Sequence, residues 1–64
     1  MRVNGKEETQ GAGLTLEEYL KTKGYESNRV AVELNGEIVP RSHFSETVLR
    51  QEDALEIVSF VGGG

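Results

Sequence analysis

The most accessible reactive group in this sequence is the end of the chain. The sequence closes on Gly62, Gly63 and Gly64, so the last chemical group is the α-carboxylate of Gly64. A terminal carboxyl has an ordinary pKa of about 3.3 to 3.7, so it is ionised at neutral pH. It can attack the α-phosphate of ATP to form an acyl-adenylate, from which a nucleophile then displaces AMP. Three glycines lack Cβ atoms and reach about 10 Å, so they suit a narrow channel.

Other residue types that support catalysis are scarce. The sequence has no Cys and one His, His43, so a thiolate zinc site and a cysteine nucleophile are both excluded. His43 lies one residue from Ser42, which is a turn composition, whereas a Ser-His-Asp triad is assembled across a fold. We therefore interpret His43 as a surface or structural residue and do not expect the chain to be an enzyme. We also expect no metal site and no bound cofactor.

Length and composition limit the size and class of the protein. The 64 residues contain 36% hydrophobic and 28% charged residues, which is typical of one small globular domain. The formal net charge of -4 disfavours nucleic acid as a ligand. The sequence contains no signal peptide and no apolar run long enough to cross a membrane, so a cytoplasmic location is expected. We assign residues 1–61 to the folded domain and residues 62–64 to a flexible tail.

Two Asn-Gly pairs predict hairpins, because a type I′ turn needs positive φ at both central residues. Asn4-Gly5 would join Met1–Val3 to a polar edge strand at Lys6–Thr9. Asn35-Gly36 lies within a second hairpin. The apolar residues that form its period-2 pattern before Pro40 are Val30, Val32, Leu34, Ile38 and Val39.

A short helix is predicted between the hairpins. Thr15 can cap a helix with Glu18 three residues on, and Leu14 can pack against Tyr19. Leu16, Tyr19, Leu20 and Lys23 share one side of this helix, which Gly24 would end in the left-handed conformation. Tyr19 is interpreted as a core residue. The helix would be about two turns long, so it needs the sheet to be stable.

The remaining chain predicts one more strand. Phe44 is the only large apolar residue in the irregular segment 41–46 and is assigned to the core. A polar turn then precedes an apolar strand at Ala54–Val61. The element order predicts an α+β fold, a mixed sheet of four to five strands with one helix on one face. The first and last strands would run parallel at its centre. This is the layout of the ubiquitin-like β-grasp.

Three segments carry a resemblance to a known family: Val3-Asn4-Gly5-Lys6, Leu34-Asn35-Gly36-Glu37-Ile38-Val39-Pro40-Arg41 and Leu55-Glu56-Ile57-Val58-Ser59-Phe60-Val61-Gly62-Gly63-Gly64. Through them the chain resembles, over essentially its whole length, the ThiS family of ubiquitin-like sulfur carrier proteins of thiamine biosynthesis. The resemblance implies that an E1-like adenylyltransferase of the ThiF type activates Gly64 with ATP and magnesium. A cysteine desulfurase relay would then convert Gly64 to a thiocarboxylate. Thiazole synthase of the ThiG type would take this sulfur, while Gly62 and Gly63 thread into the partner's active site.

The resemblance departs from the family at one turn. Family members often have Gly-Asp where this chain has Glu52-Asp53, and a Glu held at positive φ would cost about 1 kcal/mol. The position of Phe44 is aromatic in the family, often Trp, which supports its assignment to the core.

Alternation along the last strand predicts a docking surface. If Leu55, Ile57, Ser59 and Val61 face the helix, Val58 and Phe60 point from the other face. With Ala31, these two residues would form an apolar patch that docks on the activating enzyme and thiazole synthase. The alternative is a bulge that turns Phe60 into the core. Glu33, Glu37, Glu56 and the glutamates of the helix could steer the protein onto basic partner surfaces, or they could form a solvated face.

Other functions share parts of this pattern. A carrier for molybdopterin synthesis or tRNA thiolation, or a ubiquitin-like modifier, would use the same activation of Gly64. A β-grasp interaction module with an idle glycine tail belongs to a different class. Loss of function on removal of Gly64 separates a carrier from such a module.

Overall fold

The computed structural model of the chain describes residues 1–60, so the predictions for Val61 and for Gly62, Gly63 and Gly64 lie outside the described residues. Within residues 1–60, five strands and one α-helix follow each other. They are β1 (Arg2–Val3), β2 (Lys6–Glu7), α1 (Leu16–Thr22), β3 (Val30–Leu34), β4 (Glu37–Ile38) and β5 (Ala54–Ser59). Two 3-10 turns, Ser27–Arg29 and Arg41–His43, lie in the connections.

The five strands form one mixed sheet in the order β2-β1-β5-β3-β4. Strand β5 lies at the centre, parallel to β1 and antiparallel to β3. The two hairpins therefore occupy opposite sides of β5, and α1 packs on one face of the sheet. This arrangement confirms the predicted α+β fold with parallel first and last strands.

Both Asn-Gly pairs make the predicted turns. Asn4 and Asn35 have φ values of 54° and 53°, and the glycines that follow them have φ values of 81° and 87°. These backbone angles are typical of the type I′ turn, which matches the twist of the strands it joins. Among residues 1–60, these asparagines are the only non-glycine residues with positive φ, so Glu52 does not incur the strain considered above.

The helix forms from local signals, as expected. The Thr15 hydroxyl accepts the Glu18 N–H at 3.1 Å, while the Glu18 carboxylate accepts the Thr15 N–H at 2.9 Å. This capping box satisfies two backbone donors at the helix start. After the helix, Gly24 has the left-handed conformation with a φ of 84°. Leu16, Tyr19 and Leu20 face the sheet and are buried.

The core lies between α1 and one face of the sheet. Its buried residues come from the helix, from β3 and β5, and from the loop after β4: Leu16, Tyr19, Leu20, Val30, Val32, Phe44, Leu49, Leu55 and Ile57. The loop reaches the helix start because the N–H of Leu16 donates to the Thr47 carbonyl at 2.7 Å. Phe44 therefore fills the core, as predicted.

Several strands are shorter than predicted. Strand β2 ends at Glu7, β4 ends at Ile38 and β5 ends at Ser59. Val39 still donates its N–H to the Val32 carbonyl at 2.9 Å, so the second hairpin extends slightly beyond the strand boundary. The expectation that Ile38 continues the buried pattern is wrong, since Ile38 is 65% exposed. A two-residue turn places Ile38 opposite Glu33, and both side chains point away from the helix.

Candidate functional site

The outer face of the sheet, opposite α1, carries the residues predicted to dock a partner. Val58 is 61% exposed and Phe60 is 43% exposed. Ala31 is exposed and lies directly opposite Val58 in the β3–β5 ladder. The bulge considered for this strand is absent from the paired segment, because the register runs without interruption from Leu34↔Leu55 to Val30↔Ser59. The exposed side chains therefore face outward, as the alternation predicted.

The chain continues its antiparallel pairing beyond Val30↔Ser59, the last ladder pair of β3 and β5. The N–H of Phe60 donates to the Arg29 carbonyl at 3.0 Å, which continues the antiparallel pairing with β3. Ser59 is paired with the buried Val30 and so lies on the helix side, but it is exposed. The backbone thus remains extended and paired up to Phe60, four residues before Gly64.

Asn4 and Asn35 make turns and also bind β5. In each of these two asparagine clamps, the asparagine side chain forms hydrogen bonds with the backbone of β5. Asn4 Oδ1 accepts the Ile57 N–H at 2.7 Å, and Asn4 Nδ2 donates to the Ile57 carbonyl at 3.3 Å. These two bonds replace the backbone hydrogen bonds that β1 would make with β5 if the chain did not turn back at Gly5. From the other side of β5, Asn35 Oδ1 accepts the Ala54 N–H at 2.9 Å.

The buried carboxylate of Asp53 completes the second of these clamps. Asp53 is 7% exposed, and its Oδ1 accepts Asn35 Nδ2 at 3.0 Å. Its Oδ2 accepts the Arg50 N–H at 2.9 Å, so both oxygens are satisfied. Asn4 and Asn35 therefore fix the register of β5 from both neighbouring hairpins. A slip of one residue would exchange the inner and outer faces of β5.

A cluster of polar side chains lies on the helix side of the molecule. Tyr19 is buried, and its hydroxyl donates to Glu8 Oε1 at 2.8 Å, while Lys23 Nζ lies 3.1 Å from the same oxygen. The Tyr19 hydroxyl, the Gln10 N–H and Lys23 lower the pKa of Glu8 from 4.5 to about 2. Burial and the Glu8 carboxylate raise the pKa of Tyr19. The helix is thereby attached to the segment after β2.

An open groove of about 450 Å³ lies beside this cluster, between the first hairpin and the end of α1. Its charged groups include Lys23 and Glu8, which are already paired with each other. His43 is exposed. Among residues 1–60, no three acidic or His side chains are grouped so that they could hold a metal ion. In the same range, no helix has the length and hydropathy needed to cross a bilayer.

Sequence reasoning missed two features of the outer face. The first is Ile38, which enlarges the apolar patch. The register of the second hairpin could have predicted its position, because a two-residue turn after Leu34 pairs Glu33 with Ile38. The direct opposition of Glu33 and Glu56 across β3 and β5 had no local signal, since 23 positions separate the two residues in the sequence.

Comparison with known proteins assigns the family. The ThiS family model matches residues 1–64. A crystal structure of a thiamine biosynthesis protein (ThiS) from Geobacter metallireducens is 41% identical, with a TM-score of 0.78. That match covers 98% of this chain and 96% of the other. The sulfur carrier protein ThiS of Bacillus subtilis is 40% identical over 50 residues, which are 78% of this chain and 76% of that protein.

A relative of another kind is a thiazole synthase from Paramagnetospirillum magneticum, which is 45% identical over 62 residues. The match covers 97% of this chain and 19% of that protein. A second thiazole synthase, from Magnetococcus marinus, is matched over 20% of its length. The chain therefore spans about a fifth of these curated relatives. From its sequence and its ubiquitin-like β-grasp fold, this chain belongs to the ThiS family.

Proposed function

We propose that this chain carries sulfur for thiamine biosynthesis as a thiocarboxylate on Gly64. The observation that carries the proposal is the ThiS family match over residues 1–64, which includes the terminal glycines. The fold supports it, because the central strand β5 ends at Ser59, five residues before Gly64 in the sequence. The Bacillus subtilis relative, which is named a sulfur carrier, supports the same role.

The chemistry begins at the Gly64 carboxylate. In the active site of an E1-like adenylyltransferase, a carboxylate oxygen attacks the α-phosphate of magnesium-bound ATP, and pyrophosphate leaves. The terminal sulfur of a persulfide, supplied by a cysteine desulfurase relay, then attacks the acyl carbon and AMP departs. A thiol of the partner proteins cleaves the resulting acyl disulfide, which leaves the thiocarboxylate on Gly64 and a disulfide on the partner. Gly62 and Gly63 thread through the enzyme's channel. The chain is a substrate in each of these steps and has no turnover of its own; ATP and magnesium belong to the partner.

Thiazole synthase is the proposed acceptor of the sulfur. Two relatives are themselves thiazole synthases, and the segments that match this chain form 19% and 20% of them. A domain of this type within the same polypeptide as a synthase favours an association between the two activities. The proposal places the carrier in the cytoplasm together with these enzymes.

The outer face of the sheet is the proposed docking surface for these enzymes. Val58 and Phe60 are exposed on the same strand that leads to the chain end, and Ala31 extends their patch across β3. Exposed apolar side chains of this kind are typical of protein interaction sites. Docking here would hold Phe60, four residues before Gly64, at a fixed position relative to the partner's active site.

Intact mass spectrometry tests the carrier function. The untagged chain is incubated with ATP, magnesium, the activating enzyme from the same organism and sulfide. We expect a mass gain equal to the replacement of one oxygen by sulfur, located on Gly64 by fragmentation. Transfer of that sulfur to product by thiazole synthase then assigns the pathway.

Two controls decide between the alternatives. Deletion of Gly64 and addition of one Ala after Gly64 should both abolish the mass gain without changing the thermal unfolding temperature. An unmodified chain, in a reaction where the enzyme modifies another carrier, would contradict the proposal and favour an interaction module with an idle tail. A thiocarboxylate that thiazole synthase does not use would favour a carrier for molybdopterin synthesis or tRNA thiolation.

A further inference from the structure

Two glutamates oppose each other on the outer face of the sheet, within the proposed docking surface. Glu33 on β3 pairs with Glu56 on β5, and both side chains are exposed. Residues directly opposite each other in an antiparallel ladder have Cβ atoms about 5 Å apart, and like charges in such positions are destabilising. The sheet thus holds two carboxylates together at a cost to its own stability.

No ion pair among residues 1–60 neutralises these two carboxylates; Arg2, on the same face of the sheet, lies opposite Ala54 on β5. The ion pairs among residues 1–60 join Lys23 to Glu8 and Arg29 to Glu26, so neither Glu33 nor Glu56 takes part in one. Their side chains also accept no hydrogen bond from residues 1–60. In the free protein, water therefore solvates both carboxylates.

Apolar side chains lie next to the carboxylate pair on two sides. Val58 is two residues beyond Glu56 on β5, a step of about 6.8 Å along a strand. It lies opposite Ala31, which is two residues before Glu33 on β3. On the other side of Glu33, the exposed Ile38 is its direct partner on β4. The carboxylate pair thus lies within the apolar patch, between Val58 and Ile38.

This arrangement restricts the partner's chemistry. A protein surface that covers Val58 and Phe60 also removes water from the adjacent carboxylates. Removal of water from two unpaired charges is strongly unfavourable unless the partner supplies an opposite charge. A guanidinium group is planar, permanently charged and weakly hydrated, and its fork of N–H groups can bond two carboxylates together.

We propose that the outer face docks on an apolar surface of thiazole synthase that presents an arginine side chain to Glu33 and Glu56. This inference rests on the proposed function for the identity of the partner. The arginine neutralises the carboxylate pair, while Ile38, Ala31, Val58 and Phe60 contact the apolar surroundings. The pair then acts as a specificity element, because an apolar surface without a cation would leave both charges dehydrated and unpaired.

The test measures the dissociation constant for thiazole synthase without ATP, by calorimetry at low and at moderate salt. We expect Glu33→Gln and Glu56→Gln each to weaken binding about tenfold, because each leaves the guanidinium with one charged partner. Their binding should also depend less on salt than that of the unchanged chain. The matched control is Glu46→Gln, which makes the same change in charge in the loop after β4 and should leave binding unchanged.

Stability measurements separate docking from folding. Glu33→Gln should unfold at the same temperature as the unchanged chain or slightly higher, because it removes the repulsion across the ladder. Phe60→Ala should weaken binding as well, because it removes the apolar contact. Thiazole synthase binding that is equal or tighter after Glu33→Gln and Glu56→Gln would overturn the proposal, as would failure of the unchanged chain to bind or an effect of Glu46→Gln of the same size.

The binding assay omits ATP and the activating enzyme, so it does not depend on thiocarboxylate formation. Deletion of Gly64 should abolish the mass gain at Gly64 while the effects of Glu33→Gln and Glu56→Gln on binding persist. Failure of the carrier chemistry and failure of the arginine contact therefore give different results. Substitution of single arginines by Gln in thiazole synthase then identifies the contact, because the correct one weakens binding of the unchanged chain and removes the effect of Glu33→Gln.

Discussion

The two faces of β5 carry apolar residues with different roles, since those on the helix side form the core and those on the outer face are exposed. Leu55 and Ile57 are 1% and 5% exposed against the helix, whereas Val58 on the same strand is 61% exposed. Both sets are apolar, and only their position in the alternation and the register of the strand separates them. Hydrophobicity alone therefore does not distinguish a core residue from a docking residue in this sheet.

The two faces also differ in how their polar groups are satisfied. On the helix side, the Tyr19 hydroxyl, Glu8 and Lys23 bind each other within the chain. On the outer face, Glu33 and Glu56 have no ion-pair partner among residues 1–60. A face whose polar groups bind each other within the chain stabilises the fold. A face with unpaired charges beside apolar side chains is suited to binding a partner protein.

Truncation of one side chain on each face should give the largest difference. Leu55→Ala removes fully buried atoms, so we expect the free energy of unfolding to fall by about 2 to 5 kcal/mol. Phe60→Ala removes a larger side chain from the outer face and should cost less than about 1 kcal/mol. Urea unfolding of both variants measures this difference. Equal losses would mean that Phe60 is part of the core and would remove it from the docking surface.

The asparagine clamps fix the register of β5 and so decide which of its residues occupy which face. A negative charge at position 35 would break the clamp of Asn35 but not that of Asn4. Asn35→Asp would place a carboxylate against the Asp53 carboxylate, 3.0 Å from the present amide nitrogen. We expect a loss of about 2 to 3 kcal/mol at neutral pH, because a buried polar contact becomes repulsive. Urea unfolding at neutral pH measures this loss.

Asn4→Asp is the matched variant for the other clamp. It keeps the acceptor for the Ile57 N–H but replaces the donor of the longer 3.3 Å bond with an oxygen that faces the Ile57 carbonyl. Its cost should be about 1 kcal/mol, which is smaller than that of Asn35→Asp. If Asn4→Asp proved the more harmful of the two, the register of β5 would depend mainly on the first hairpin.

The smallest expected effect concerns the polar cluster on the helix side. The pKa of Glu8 is about 2 in the folded chain and 4.5 ordinarily, so its contribution to stability is complete above about pH 4.5. It is lost as the pH falls towards about 2. Tyr19→Phe removes the main hydrogen bond, so the pKa of Glu8 should rise towards its ordinary value, and the acid-dependent loss of stability should become smaller.

Carboxyl NMR titration of Glu8 and acid unfolding measure these two effects. The Tyr19 pKa is raised in the folded chain, so its contribution has the opposite pH dependence and is lost only as the pH rises above about 10. Thiazole synthase binding should be the same for Tyr19→Phe as for the unchanged chain. A change in binding would contradict the assignment of this cluster to folding alone.

Much of the fold was predictable because its signals are local. The Asn-Gly turns depend on backbone angles at two adjacent residues, and the capping box joins Thr15 to Glu18 within one helical turn. The exposure of Val58 and Phe60 followed from alternation within a single strand. Strand ends were predicted less well, because pairing stops where the neighbouring chain turns away, and no residue of the strand itself signals this.

The sequence by itself determined the two hairpin turns, the helix and the alternation of β5, since each depends on neighbouring residues. Only the tertiary structure decided which side chains meet across strands. Asn4 and Ile57 are 53 positions apart in the sequence, yet their hydrogen bonds help to set the register of β5. Glu33 meets Glu56 for the same reason, because strand register, not sequence proximity, determines the contacts on a sheet face.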